Sequence, residues 1–67
     1  MIIQLNGEPY TLAEGIENIA DLVAALHLTA RIIVVEHNRT VLKRDDYPQV
    51  QLRAGDQVEI VQFVGGG

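Results

Sequence analysis

Few groups in this chain could do chemistry. Its 67 residues include no cysteine and no serine, so the two commonest side-chain nucleophiles are missing and a thiolate zinc site is excluded. His27 and His37 are too unevenly placed to share one helix face as a metal pair, and both read as surface histidines. Asp45 and Asp46 follow Lys43-Arg44, and adjacent carboxylates in a loop do not converge on one substrate atom. They read as a solvated polar stretch. No glycine-rich, lysine-ended phosphate loop is present. What remains is the run Val64-Gly65-Gly66-Gly67. Glycine lets a backbone thread where a Cβ would clash, and three extended residues reach roughly 10 Å. With Gly67 as the terminus, such a tail can enter a narrow active site and present its carboxylate. A carboxylate is inert until activated, for example as an acyl-adenylate, and then accepts sulfur, an amine or a thiol. The plainer alternative is an idle, frayed end.

Composition narrows the partners. Nine acidic residues stand against five basic ones, for a net charge of −4. A nucleic-acid binder would carry a basic surface with interleaved aromatics, and here the aromatics are Tyr10, Tyr47 and Phe63. An acidic protein suits basic patches on larger proteins, where complementary charge speeds encounter. The start carries no basic stretch before an apolar run, and no apolar run approaches the roughly 20 residues of a membrane span. The chain therefore reads as one small cytoplasmic domain that binds neither membrane nor metal, and as a monomer when free.

The elements that would position the tail follow from pattern. "IIQLNGEPYTL" reads as a hairpin about Asn6-Gly7. "NIADLVAALHL" reads as a helix, with Ile19, Leu22, Val23 and Leu26 on one stripe, Asn18 as N-cap and Asp21 in the first turn. His27 falls near its C-terminus. "RIIVVEHNRTVL" reads as a second hairpin with Ile32–Val35 as its first strand and His37-Asn38-Arg39 as its turn. "KRDDYPQ" is a polar connection in which Pro48 biases Tyr47 away from helix. Val50–Leu52 alternates like a short strand, "RAGDQ" is a turn, and "VEIVQFV" is the last strand. One helix covers one face of a sheet. The expected fold is thus an α+β roll, a mixed sheet of four to five strands with one helix on one face and the first and last strands side by side. Domain 1–64 is this roll, and 65–67 is a flexible glycine tail. In the last strand Val58 and Ile60 face one way and Val61 and Phe63 the other. That leaves aliphatic surface either for a partner or for the Lys43–Gln49 stretch to cover.

The opening "LNGEPY", the central "VVEHNRTVLKRDDY" and the ending "AGDQVEIVQFVGGG" together resemble the ThiS family of thiamine-biosynthesis sulfur carriers. That family lies within the ubiquitin-like β-grasp superfamily. The resemblance covers essentially the whole chain, and the ending is its most specific part. It implies that an E1-like adenylyltransferase uses ATP to adenylate the terminal carboxylate. A cysteine desulfurase relay then converts it to a thiocarboxylate, and the sulfur goes to thiazole synthase. It places the sulfur on Gly67, pairs it with Gly66, threads Val64 and Gly65 into the partners, and puts Val61 and Phe63 on the docking surface. The carrier itself would bind no cofactor and would not be an enzyme. Three glycines stand where two satisfy the pattern. The same features suit the carrier subunit of molybdopterin synthase or a carrier for another sulfur pathway. A ubiquitin-type modifier joined to lysines and a plain roll with an idle tail are readings of other classes.

Overall fold

Asn6 and Gly7 both adopt positive φ, 51° and 82°, which is the two-residue turn whose twist matches paired strands. They join β1 (Ile2–Leu5) to β2 (Glu8–Thr11), with Leu5 opposite Glu8 and Ile2 opposite Thr11. The computed structural model describes residues 1–63, and Val64, Gly65, Gly66 and Gly67 lie outside the described residues.

Helix α1 spans Ile19–Ala25 and buries Ile19, Leu22 and Val23. Its start is a reciprocal cap. The Asp21 N–H donates to Asn18 Oδ1 at 2.8 Å, while Asp21 Oδ2 accepts from the Glu17 N–H at 2.9 Å and the Asn18 N–H at 3.4 Å. Donors that would otherwise be orphaned at the helix start are thereby satisfied.

The helix end uses the Schellman arrangement. The N–H of His27 donates to Ala24 O and that of Leu28 to Val23 O, both at 3.0 Å. This requires a left-handed residue, and His27 sits there at φ 60°. A Cβ in that region is penalised, and glycine escapes the penalty at some entropic cost. His27→Gly is therefore expected to stabilise the fold by about 0.5–1 kcal/mol, a shift that urea unfolding would register.

Strand β3 is Ile33–His37 and β4 is Thr40–Leu42. The turn is narrower than the sequence suggested. Asn38 and Arg39 alone form it, at φ 48° and 72°, and His37 belongs to the strand, paired with Thr40. Ile32 precedes the strand and is exposed.

Arg44–Gln49 forms a 3-10 segment that contains Pro48 and buries Tyr47. Burial of the Tyr47 ring in the core outweighs the bias that Pro48 places on its predecessor. Arg44 fixes this segment to the end of the helix, its guanidinium donating to Thr29 O and Arg31 O, both at 2.9 Å.

Val50–Leu52 is not a sheet strand. Gln51 makes an isolated bridge with Asn18, Ile19 N–H donates to Val50 O, and Leu52 N–H donates to Glu17 O. The alternation expected of a strand instead places Leu52 in the core beneath the helix start.

The last strand, β5, is Gln57–Gln62. The sheet order is β2-β1-β5-β3-β4. Strands β1 and β5 are parallel, and the other neighbours are antiparallel. As expected, the first and last strands lie together in the middle. The core is Ile3, Leu12, Ile19, Leu22, Val23, Val35, Tyr47, Leu52, Val58 and Ile60. It forms between α1 and one face of the sheet, and the 3-10 segment packs beside α1 rather than over the opposite face.

Candidate functional site

Strand β5 leads directly into the C-terminal residues, so its placement decides where they emerge. Two turn asparagines hold it. Asn6 Oδ1 accepts from the Ile60 N–H at 2.8 Å, beyond the point where the β1–β5 ladder ends. Asn38 Oδ1 accepts from the Gln57 N–H at 2.9 Å, and the Asn38 N–H donates to Gln57 O at 2.8 Å. Each asparagine thus shapes its own hairpin by accepting a positive φ and also satisfies a donor of the central strand. Only the first of these roles is visible as an Asn-Gly dipeptide.

A third group completes the anchorage. Asp56 Oδ2 accepts from His37 Nε2 at 2.7 Å and from the Arg53 N–H at 2.9 Å, and Asp56 Oδ1 accepts from Asn38 Nδ2 at 3.3 Å. The His37 and Asp56 side chains are 18% and 12% exposed, so this hydrogen-bonded pair is shielded and joins the β3 end to the turn before β5. His37, expected on the surface of a turn, is thus drawn inward by a partner far away in sequence. Nothing in the local pattern pointed to that partner.

Burial alone would raise the Asp56 pKa. The bonds from His37, Arg53 and Asn38 outweigh it and hold the carboxyl below its ordinary value of 3.8. A carboxyl with a depressed folded value stabilises fully above the unfolded value and loses that contribution as pH falls through the folded one. Asp56→Asn should therefore be less stable than wild type at neutral pH by about 1–2 kcal/mol. The gap should narrow as pH drops below 3.8, which parallel urea titrations would show.

The face of the sheet away from α1 is open. It presents Ile2 and Gln4 of β1, Val34 and Glu36 of β3, Val41 of β4, and Glu59 and Val61 of β5. Val61 is 57% exposed, Phe63 58% and Val41 64%. Val34 lies opposite Val61. The Phe63 N–H donates to Ile32 O at 3.0 Å, so the backbone stays tethered to the sheet just past β5. The sequence expectation that Val58 and Ile60 face inward and Val61 and Phe63 outward is met. Of the residues singled out in the sequence, the structure brings Val61 and Phe63 together on one surface. Val64, Gly65, Gly66 and Gly67 lie outside the described residues.

Among the described residues, no group of three His, Cys, Asp or Glu side chains stands close enough to hold a metal ion. No described helix is long and apolar enough to cross a membrane. The site consists of a rigidly anchored central strand, an exposed apolar surface beside its end, and a run of glycines that follows.

A mixed five-stranded sheet of this order, with one helix across it, is the β-grasp roll of ubiquitin-like proteins. A crystal structure of the thiamine biosynthesis protein ThiS from Geobacter metallireducens superposes with a TM-score of 0.82 at 35% identity, over the whole of both chains. The family model for ThiS matches residues 3–67. The sulfur carrier protein ThiS of Bacillus subtilis is 38% identical over 66 residues, covering 98% of this chain and all of that one. A thiazole synthase of Magnetococcus marinus is 40% identical over the whole chain, which spans 20% of that protein's length. The chain belongs to the ThiS family, and as a small sulfur carrier it is not itself a catalyst. The match favours the thiamine carrier over the molybdopterin carrier subunit, which shared the sequence features.

Proposed function

We propose that this chain carries sulfur for thiamine biosynthesis on the carboxylate of Gly67. An E1-like adenylyltransferase takes the tail into its active site. The Gly67 carboxylate attacks the α-phosphorus of ATP, pyrophosphate leaves, and an acyl-adenylate forms. The terminal sulfur of a persulfide on the cysteine desulfurase relay attacks the acyl carbon and expels AMP, leaving an acyl disulfide. A second thiol of the relay then attacks the relay sulfur of that bond, so that a relay disulfide forms and the thiocarboxylate is released. Thiazole synthase then receives the sulfur. The carrier holds no cofactor, because ATP is bound and consumed by the activating partner.

The observation that carries this reading is the arrangement at the end of β5. A strand fixed by Asn6, Asn38 and Asp56 ends beside an open apolar surface, and Val64-Gly65-Gly66-Gly67 follow. A fixed strand gives the tail a defined point of departure, and glycines exclude no narrow channel by a side chain. Val61 and Phe63 give a partner something to grip next to that point. Thiazole synthase as acceptor is supported by proteins of that name, in which a segment a fifth of their length is similar to this entire chain. A carrier and its acceptor joined in one polypeptide have a direct reason to meet.

Delivery is tested by mixing the thiocarboxylated carrier with thiazole synthase and its other substrates. Thiazole should form in proportion to the carrier supplied, and none should form with the unloaded carrier. Absence of thiazole with an active synthase would remove thiazole synthase as the acceptor.

Docking has its own test. Val61→Asp should weaken binding to the partners at least about tenfold, because a carboxylate would be desolvated in an apolar contact. The same change should leave unfolding nearly unaltered, since the side chain is 57% exposed. Unchanged affinity by calorimetry would move the docking surface elsewhere.

A further inference from the structure

The open face is not uniform. Its half nearest the end of β5 is apolar, with Val34 opposite Val61. Its other half carries Glu36 and Glu59, directly opposite each other across the β3–β5 ladder. Both point away from the core, because their neighbours Val35 and Ile60 are buried. Like charges facing each other across a ladder oppose strand pairing. Among the described residues no salt bridge relieves them, the one close contact between oppositely ionisable side chains being His37–Asp56 on the core side. No lysine or arginine lies on the outward positions of the five strands. Beside Glu59 a hollow of about 390 Å³ opens, lined by Gln4, Gly7, Gln57, Val58 and Glu59.

Resting on the reading of the chain as a sulfur carrier, we propose that this acidic half is the specificity element of docking to thiazole synthase. It seats one arginine of the synthase between Glu36 and Glu59, beside Val41 opposite Glu36, while Val34 and Val61 cover an apolar patch. Charge complementarity selects this occupant. A partner that covered the face with apolar groups alone would desolvate two facing carboxylates without a counter-charge. A guanidinium presents several donors in one plane and can bond both carboxylates at once, which an ammonium does less well. The hollow next to Glu59 gives the long side chain room to enter from the β1 side, where Gly7 has no neighbour that a Cβ would meet within 4 Å. The apolar half supplies contact area, and the acidic half rejects surfaces that lack the cation.

The test is a binding titration between the full carrier and the thiazole synthase of the same organism, at low and moderate salt. Glu36→Gln and Glu59→Gln keep the strand's shape and should each weaken binding about tenfold. Because one arginine serves both carboxylates, the double variant should lose less than the product of the two single losses. Glu14→Gln, at an exposed acid outside the sheet, should stay within about twofold and thereby exclude a bulk charge effect. Affinities of the Glu36 and Glu59 variants within twofold of wild type would overturn the proposal. So would an equal loss in Glu14→Gln, or losses at the two sites that simply multiply. Failure of the wild type to bind the synthase would also overturn it. Sulfur loading of the same preparation by the activating enzyme then shows whether the carrier reading survives.

Discussion

Removal of Gly66 and Gly67 is expected to abolish sulfur loading entirely while leaving unfolding unchanged. The two halves of that expectation rest on separate parts of the molecule. The core of the described residues runs from Ile3 to Ile60, and Gly66 and Gly67 have no side chain to add to it. Loading, in contrast, depends on one acyl carbon reaching the ATP of a partner. Shortening the chain by two residues withdraws that carbon by roughly 7 Å. A misplacement of even about 1 Å costs on the order of a hundredfold in rate, so no residual loading should be measurable. Extending the chain by one residue beyond Gly67, or replacing Gly67 with valine, should fail for the complementary reason. The carboxylate is then displaced or shielded by a branched side chain. Single-turnover loading followed by mass spectrometry distinguishes these variants, and normal loading in any of them would contradict the role given to Gly67.

The largest effect on folding should come from Leu22→Ala. Leu22 is fully buried on the helix stripe that faces the sheet. Truncating a buried leucine removes transfer free energy and leaves a cavity, at a cost of about 3–5 kcal/mol. A typical value of roughly 0.05–0.15 kcal/mol per residue gives a domain of this size only about 3–10 kcal/mol in total. Most of the stability would be lost. With a urea dependence near 1 kcal/mol per molar for a domain this small, the midpoint should fall by about 3 M or more, or the chain should be unfolded without denaturant. A fall of less than about 1 M would mean that the helix and the sheet are not held together chiefly by this contact. Loading assays on this variant would report instability rather than chemistry, which is why the tail and surface variants are the informative ones for function.

Much of the fold is legible in the sequence because its signals are local. Asn6-Gly7 specifies a turn in two residues. The cap formed by Asn18 and Asp21, and the stripe of Ile19, Leu22 and Val23, lie within little more than one turn of helix. The opposed faces of β5 are read directly from Val58, Ile60 and Val61. The sequence is misleading where a local signal was ambiguous. Asn38-Arg39 makes a two-residue turn with arginine at positive φ, an uncommon choice, so His37 looked like part of the turn. Val50–Leu52 alternates as a strand would, yet three residues beside the helix start alternate because Leu52 enters the core and Val50 packs against it. What could not be read at all depends on pairing between distant segments. The Asp56–His37 bond, the hold of Asn6 on Ile60 and the confrontation of Glu36 with Glu59 all follow from strand register. No residue in these pairs looks unusual among its own neighbours.

The candidate site divides in the same way. Its chemical end was conspicuous, because a glycine run beside an inventory without nucleophiles leaves little else to consider. Its docking surface was only half visible. Val61 and Phe63 were apparent from alternation, whereas Val34, Val41 and the acidic pair join them only once β3, β4 and β5 are assembled.

The central claim is that Gly67 bears the sulfur. The most direct measurement is the intact mass of the full chain after incubation with ATP, its adenylyltransferase, a cysteine desulfurase and cysteine. The expected result is a gain equal to the exchange of one oxygen for one sulfur, confined by fragmentation to Gly67 and dependent on ATP. An unchanged mass, in a mixture that loads a control carrier, would contradict the account, as would sulfur located anywhere other than Gly67.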